Sequence, residues 1–75
     1  MAKATGKVIE LSSGEKVEMR EPKVKDVRIL NHIKNDEERE LKLVANLTMM
    51  SDSEMDELSL FDYRKLQEGL SAFLS

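Results

Sequence analysis

This chain of 75 residues contains no cysteine, so neither a disulfide nor a thiolate metal site is available to it. A lack of cysteine fits a reducing compartment such as the cytosol. No apolar run approaches the roughly 18 to 20 residues that a membrane span needs. The first seven residues have lysines but no apolar core after them. We therefore expect neither a membrane span nor a secretory signal.

Residues with catalytic chemistry are also scarce. His32 is the only histidine, and neither an H-x-x-E nor an H-x-x-x-H spacing occurs. The carboxylate pairs, such as Asp52 with Asp56 and Glu37 with Glu40, lie at helix starts, where capping explains them. There is no nucleophile elbow and no glycine-rich phosphate loop, and the chain is too short to enclose an ordinary enzyme pocket. We expect no enzyme, no catalytic or metal site and no cofactor.

Charge is divided unevenly along the chain. The net charge is −3, but residues 1–34 hold eight Lys or Arg against five Asp or Glu, whereas residues 35–75 hold four against ten. The basic half permits a small nucleic-acid-binding regulator as an alternative function. Its candidate contacts are Lys16, Arg20, Lys23, Lys25, Arg28 and Lys34. We favour two differently solvated surfaces and no nucleic-acid partner, because the chain is acidic overall and no aromatic residue lies among these cations.

The length allows one domain, which we place at residues 8–75 after a flexible N-terminal tail over 1–7. A core this small is only marginally stable alone, so a partner or homo-oligomer would help. Within that domain, apolar residues alternate over 8–11 and 17–19 around Ser12-Ser13-Gly14, which predicts a β-hairpin. Pro22, the only proline, marks the change from strand to helix spacing.

Helical patterns fill the rest of the chain. An apolar stripe at spacing three predicts a helix over 23–33, and an Asn35-Asp36 cap predicts one over 37–49. Ser51 with Glu54 forms a capping box before a short turn, and Ser59 with Asp62 begins the last helix. Gly69 weakens that helix and favours a close helix contact. The fold class is α+β, an N-terminal hairpin packed on three to four short helices. The predicted core is Ile9, Leu11, Val17, Val27, Leu41, Val44, Leu47, Leu66 and Leu70.

Two groups of residues are candidates for a partner surface. Met49, Met50 and Met55 cluster around a turn, where flexible thioethers either adapt to a partner or fill the core at a helix corner. Phe61 and Tyr63 are two residues apart and so face different sides of the last helix. One of them, with Leu60, is therefore expected outside the core. The candidate partner-binding residues are Met49, Met50, Met55, Leu60, Phe61 and Tyr63.

Two ordered motifs resemble one protein family. Arg20 to Arg28 is similar to the "R-x-P-x-v-x-D-l-r" signature of small tail assembly chaperones from contractile-tailed bacteriophages and prophages. Leu47 to Tyr63 resembles the family's "L-T-g-l-S-x-x-e-l-x-x-L-x-x-x-D-y" segment, except that Met49-Met50 stands where the family often has glycine and an apolar residue. The likeness spans residues 8–74. The matching residues are Arg20, Pro22, Val24, Asp26, Leu47, Thr48, Ser51, Leu58, Asp62 and Tyr63.

The resemblance implies a non-catalytic chaperone that binds the long, largely helical tape-measure protein and keeps it soluble until the tail tube assembles. It places the protein in the host bacterial cytoplasm and not in the mature virion. A frameshift-extended form of the same protein is a further partner that the resemblance implies. A structural tail or baseplate subunit is the other alternative function.

Overall fold

The computed structural model describes residues 6–74, so most of the predicted tail, residues 1–5, lies outside the described residues. An antiparallel hairpin is followed by four helices, which confirms the predicted α+β fold. The strands are β1 (Lys7–Glu10) and β2 (Lys16–Met19), and the helices are α1 (Val24–Arg28), α2 (Asp36–Thr48), α3 (Asp52–Asp56) and α4 (Leu60–Leu74). The hairpin packs on α2 and α4, and α1 and α3 pack on α2.

The hairpin follows from local sequence. Leu11 N–H donates to the Glu15 carbonyl at 2.8 Å, and Gly14 between them has a φ of 93°, which only glycine adopts at little cost. Val17 and Met19 are buried on the face that meets the helices, while the residues between them are exposed. The predicted alternation is therefore confirmed.

The helix predicted over 23–33 is wrong in length, because α1 ends at Arg28. Beyond it the chain makes tight turns in which Leu30 N–H donates to the Val27 carbonyl and Ile33 N–H to the Leu30 carbonyl, both three residues apart. An apolar stripe at strict spacing of three fits such turns better than an α-helix of 3.6 residues per turn.

Val27 was also placed wrongly in the core, since its side chain is 52% exposed. Asp26 and Leu30 are the buried residues of this segment, and four residues separate them, so both face inward. Val27 follows Asp26 by about 100° around the helix and is turned outward. An ion pair of Asp26, described below, sets this orientation.

Three side chains cap the N-termini of α2, α3 and α4, as the sequence predicts. Asn35 accepts from the Glu38 N–H at 2.8 Å, so α2 begins one residue earlier than expected. Ser51 and Glu54 form the reciprocal capping box of α3. Ser59 Oγ accepts from the Asp62 N–H at 3.1 Å, but the Asp62 carboxylate does not complete that box and bonds elsewhere.

The core lies between the hairpin, α2 and α4. Met19, Val44, Leu47 and Leu66 have almost no exposed surface. Six of the nine predicted core residues are buried, Ile9 and Leu41 are half-buried against them, and Val27 is the exception already described. The six are Leu11, Val17, Val44, Leu47, Leu66 and Leu70. Met19, Ala45, Leu30 and Met55 are buried as well.

Gly69 allows close packing between α4 and the hairpin, not between two helices. A Cβ at this position would lie 2.7 Å from Ile9 Cδ1 and 3.7 Å from Met19 Sδ. The missing side chain therefore brings the backbone of α4 against β1 and β2.

Candidate partner-binding surface

Arg20 and Asp26, two charged residues of the first motif, form a bidentate ion pair. The two guanidinium nitrogens donate to the two carboxylate oxygens at 2.8 and 2.7 Å, and Lys23 N–H donates to the same carboxylate at 2.8 Å. Asp26 is only 3% exposed. The Arg20 hydrogen bonds are the main reason that the pKa of Asp26 falls to about 2. This ion pair fixes α1 against the end of the hairpin, and it engages one of the cations suggested for nucleic-acid binding.

The first motif also touches the second. Arg20 N–H donates to the Leu47 carbonyl at 3.0 Å, so the chain after β2 satisfies a carbonyl at the end of α2. Thr48 Oγ1 donates to the Val44 carbonyl at 2.8 Å within the same last turn. The Arg20–Leu47 bond therefore joins the end of the hairpin to the end of α2, whereas the Thr48 bond lies within α2.

Met49 stands at the glycine position of the second motif and adopts the conformation that glycine favours. Its φ is 61° and its ψ is 31°, the left-handed region in which most side chains crowd the backbone. Met49 N–H and Met50 N–H both donate to the Ala45 carbonyl, which closes α2. The Met49 side chain is 88% exposed. The departure from the family pattern thus leaves the turn intact but strained.

Asp62, from the end of the second motif, ties α4 to the hairpin turn. Its carboxylate accepts from Ser12 N–H and Ser12 Oγ, each at 2.9 Å. The hydrogen bond from the Ser12 backbone is the largest cause of a lowered pKa for Asp62. These motif residues form hydrogen bonds to one another or to the hairpin, so most of the matched residues hold the elements of the fold together. Val24 is an exception, because its side chain is exposed.

A groove runs between α2 and α4, and we call it the α2–α4 groove. Its first half, about 370 Å³, lies near the start of α4 beside α3, and its second half, about 210 Å³, lies near the end of α4 beside α1. Glu40 lines both halves, which makes them adjacent. The apolar and aromatic lining residues are Leu41, Met55, Leu58, Leu60 and Tyr63 in the first half and Val27, Leu30, Leu43, Leu70 and Leu74 in the second.

Polar contacts join the two helices at the middle of the groove. Tyr63 Oη donates to Glu40 Oε1 at 3.2 Å, and Gln67 Nε2 donates to the same oxygen at 2.9 Å. Burial is the main cause that raises the pKa of Tyr63 to about 12, and the charges of Glu40 and Glu37 add to it. Tyr63 is therefore a neutral donor that positions Glu40 at ordinary pH.

Carboxylates dominate the charge of the groove. Glu37, Glu40 and Asp56 line its first half, and no Lys or Arg does so among residues 6–74. In the second half Arg39 is paired with Asp36, and the cations of α4, Arg64 and Lys65, line neither half. The groove is thus apolar along its floor and acidic at its sides.

The six side chains proposed for partner binding do not form one cluster. Met55, Leu60 and Tyr63 line the first half of the groove, whereas Met50 lines a separate depression near the hairpin turn. Met49 lies exposed on the turn after α2, and Phe61 lies under the Lys65 ammonium, 5.1 Å from the ring centre. As expected, Phe61 and Tyr63 face different sides of α4.

A protein family described as phage tail assembly chaperone proteins, E, or 41 or 14 matches residues 4–75. The chain belongs to the phage tail assembly chaperone family. The resemblance inferred from the motifs is thereby confirmed. Comparison of the chaperone with curated proteins and with solved structures gave no match.

None of the chaperone's helices over residues 6–74 is long and apolar enough to cross a membrane. Over the same residues, no three His, Asp or Glu side chains are grouped so that they could hold a metal ion. His32 is exposed on the loop before α2.

Sequence reasoning missed most of the chaperone's groove. Leu41 was assigned to the core, and Glu40 only to a helix-start pair. One signal was present: Leu60, Tyr63, Gln67, Leu70 and Leu74 recur at spacings of three and four and mark a single face of α4. The pairing of that face with α2 depends on tertiary contacts that the spacing does not define.

Proposed function

We propose that this tail assembly chaperone binds a helical segment of the tape-measure protein and keeps that protein soluble before the tail tube forms. Family membership supports a role in tail assembly. The observation that carries the proposal is the α2–α4 groove, with Leu60 81% exposed at its rim. Val27 and Leu74, which line the other half of the groove, are exposed as well, and an exposed apolar patch on a monomer is typical of an interaction site.

The length of α4 sets the length of a partner helix that would lie along the groove. Helix α4 has 15 residues and spans about 22 Å at 1.5 Å per residue. A partner helix of about four turns would run along it with its apolar stripe against the groove floor. Such a stripe is what makes a long amphipathic helix prone to aggregate in water, and covering it raises solubility.

The site of action that we propose is the host bacterial cytoplasm, and the chaperone leaves before the virion is complete. Mass spectrometry of purified particles should therefore find the tape-measure protein and not this chain. Detection at a stoichiometric level would favour the alternative of a structural tail or baseplate subunit. A frameshift-extended form and a homo-oligomer stay predictions.

Co-expression tests the proposed function. The tape-measure protein of the same phage or prophage is expressed alone and with the tagged chaperone, and its soluble fraction is measured. We expect a higher soluble yield and co-purification on the tag. An unchanged soluble yield without co-purification would contradict the proposal.

A further inference from the structure

We propose that the α2–α4 groove selects an amphipathic helix whose apolar stripe is flanked by lysine or arginine. This inference rests on the proposed function and adds the surface used and the charge of the segment bound. Family membership defines neither the binding surface nor the charge of the segment bound.

The charge of the groove is not neutralised by the chain itself. Glu40 accepts hydrogen bonds only from the uncharged donors Tyr63 and Gln67 among the described residues. Neither Glu37 nor Asp56 forms an ion pair within residues 6–74. Lys42 is paired with Asp52 at 2.7 Å, and its charge also interacts with Asp56. Glu37 and Glu40 therefore face a ligand with no ion-pair partner among residues 6–74, and Lys42 offsets part of the charge of Asp56.

Apolar contact alone would not discriminate between partner helices, because burial of a leucine stripe is indifferent to the charge beside it. Carboxylates on the sides of the groove change this. They attract basic residues next to the stripe and repel acidic ones, and opposed like charges suppress wrong partners. The neighbouring side of α4, where Arg64 and Glu68 lie together outside the groove, offers no such excess.

The charge rule is tested with two synthetic helical peptides of 16 residues. Both have the same leucines at spacings of three and four, and the flanking positions hold lysine in one peptide and glutamate in the other. Fluorescence anisotropy should show at least about tenfold tighter binding of the lysine peptide at low salt, since several surface charge pairs act together. Its affinity should fall as salt rises. Equal affinities of the two peptides would overturn the inference.

Matched variants locate the binding. Leu60→Ser should weaken the lysine peptide about tenfold, because a buried leucine contact is lost. Phe61→Ser, one residue away and outside the groove, should not weaken it. Asp56→Lys should weaken binding about fivefold, whereas Glu68→Lys makes the same charge change on the other side of α4 and should have little effect. All four positions are exposed, and circular dichroism confirms that each variant is folded.

Two further results separate this inference from the proposed function. If the tape-measure protein co-purifies equally with wild type, Leu60→Ser and Asp56→Lys, the chaperone function stands and the groove assignment fails. If it does not co-purify with wild type at all, the proposed function fails. Salt-sensitive self-association of the free protein, abolished by Asp56→Lys, would assign the groove to a second copy of the chain and overturn the inference.

Discussion

Replacement of Asp26 by asparagine tests whether the ion pair with Arg20 holds α1 on the hairpin. Asparagine keeps the size of the side chain but removes its charge and one of its two acceptor oxygens. Both guanidinium bonds and the bond from Lys23 N–H then lose a charged acceptor. Hydrogen bonds to charged groups contribute more than neutral ones, so the loss should be measurable.

The magnitude follows from the pKa of Asp26. A fall from the ordinary 3.8 to about 2 corresponds to about 2.4 kcal/mol at 1.36 kcal/mol per pH unit. Arg20 is 42% exposed, so solvent screens the pair, and we expect Asp26→Asn to cost about 1 to 2 kcal/mol at pH 7. For a domain of this size the midpoint of thermal unfolding should fall by about 5 to 15 °C.

The pH dependence supplies the sharper test. Because the folded pKa lies below the unfolded one, the Asp26 carboxylate stabilises the fold fully above the unfolded pKa and loses this contribution as pH falls to about 2. Urea unfolding followed by circular dichroism should therefore show a gap between wild type and Asp26→Asn that is constant from pH 7 to 5 and shrinks between pH 5 and 2.

The control is Asp52→Asn, the same substitution in the exposed ion pair with Lys42. That pair is screened by solvent on both sides, so we expect little change in stability. Equal losses from Asp26→Asn and Asp52→Asn would refute the assignment of a structural role to the Arg20–Asp26 pair. A gap that persists unchanged at pH 2 would also refute it.

Three other predictions concern single contacts. Met49→Gly should stabilise the protein by about 0.5 to 1 kcal/mol in urea unfolding, because glycine adopts the left-handed turn without strain; destabilisation would contradict this. Gly69→Ala should raise helix propensity by about 1 kcal/mol, but the new methyl group meets Ile9 Cδ1. The full gain in protein stability should therefore appear only when Ile9→Val is made as well. A double-mutant cycle without coupling between the two positions would disprove the contact. Asp62→Ala should speed amide hydrogen exchange at Ser12 more than at Gly14, because Asp62 accepts from Ser12 N–H whereas Gly14 N–H donates to the Leu11 carbonyl. Equal effects at the two amides would contradict the hydrogen bond between Asp62 and Ser12.

The hairpin and the helix starts could be predicted because their causes are local. Gly14 at a turn and the caps Asn35 and Ser51 act within a few residues of themselves. The outward orientation of Val27 could not be predicted in the same way. The inward orientation of Asp26 depends on Arg20 across the strand–helix junction, and that orientation turns Val27 outward.

The candidate site was predicted only in part for the same reason. Leu60 and Tyr63 were singled out from their spacing on α4, but Glu40 and Leu41 come from α2, 19 to 23 residues away in sequence. The first and second motifs matched the family, yet their residues mainly join the hairpin, α1, α2 and α4 to one another. The matched motifs therefore indicate how the elements of the fold are joined, whereas the α2–α4 groove is the surface that we propose binds the partner helix.

Methyl NMR of the labelled chaperone, free and in complex with the tape-measure protein, tests the central claim most directly. Two methionines act as reporters: Met55 lines the first half of the α2–α4 groove, and Met49 is exposed outside it. Binding in the groove should shift the methyl signals of Met55 and Leu60 and leave the Met49 signal in place. A shift of Met49 with Met55 and Leu60 unchanged would contradict the account.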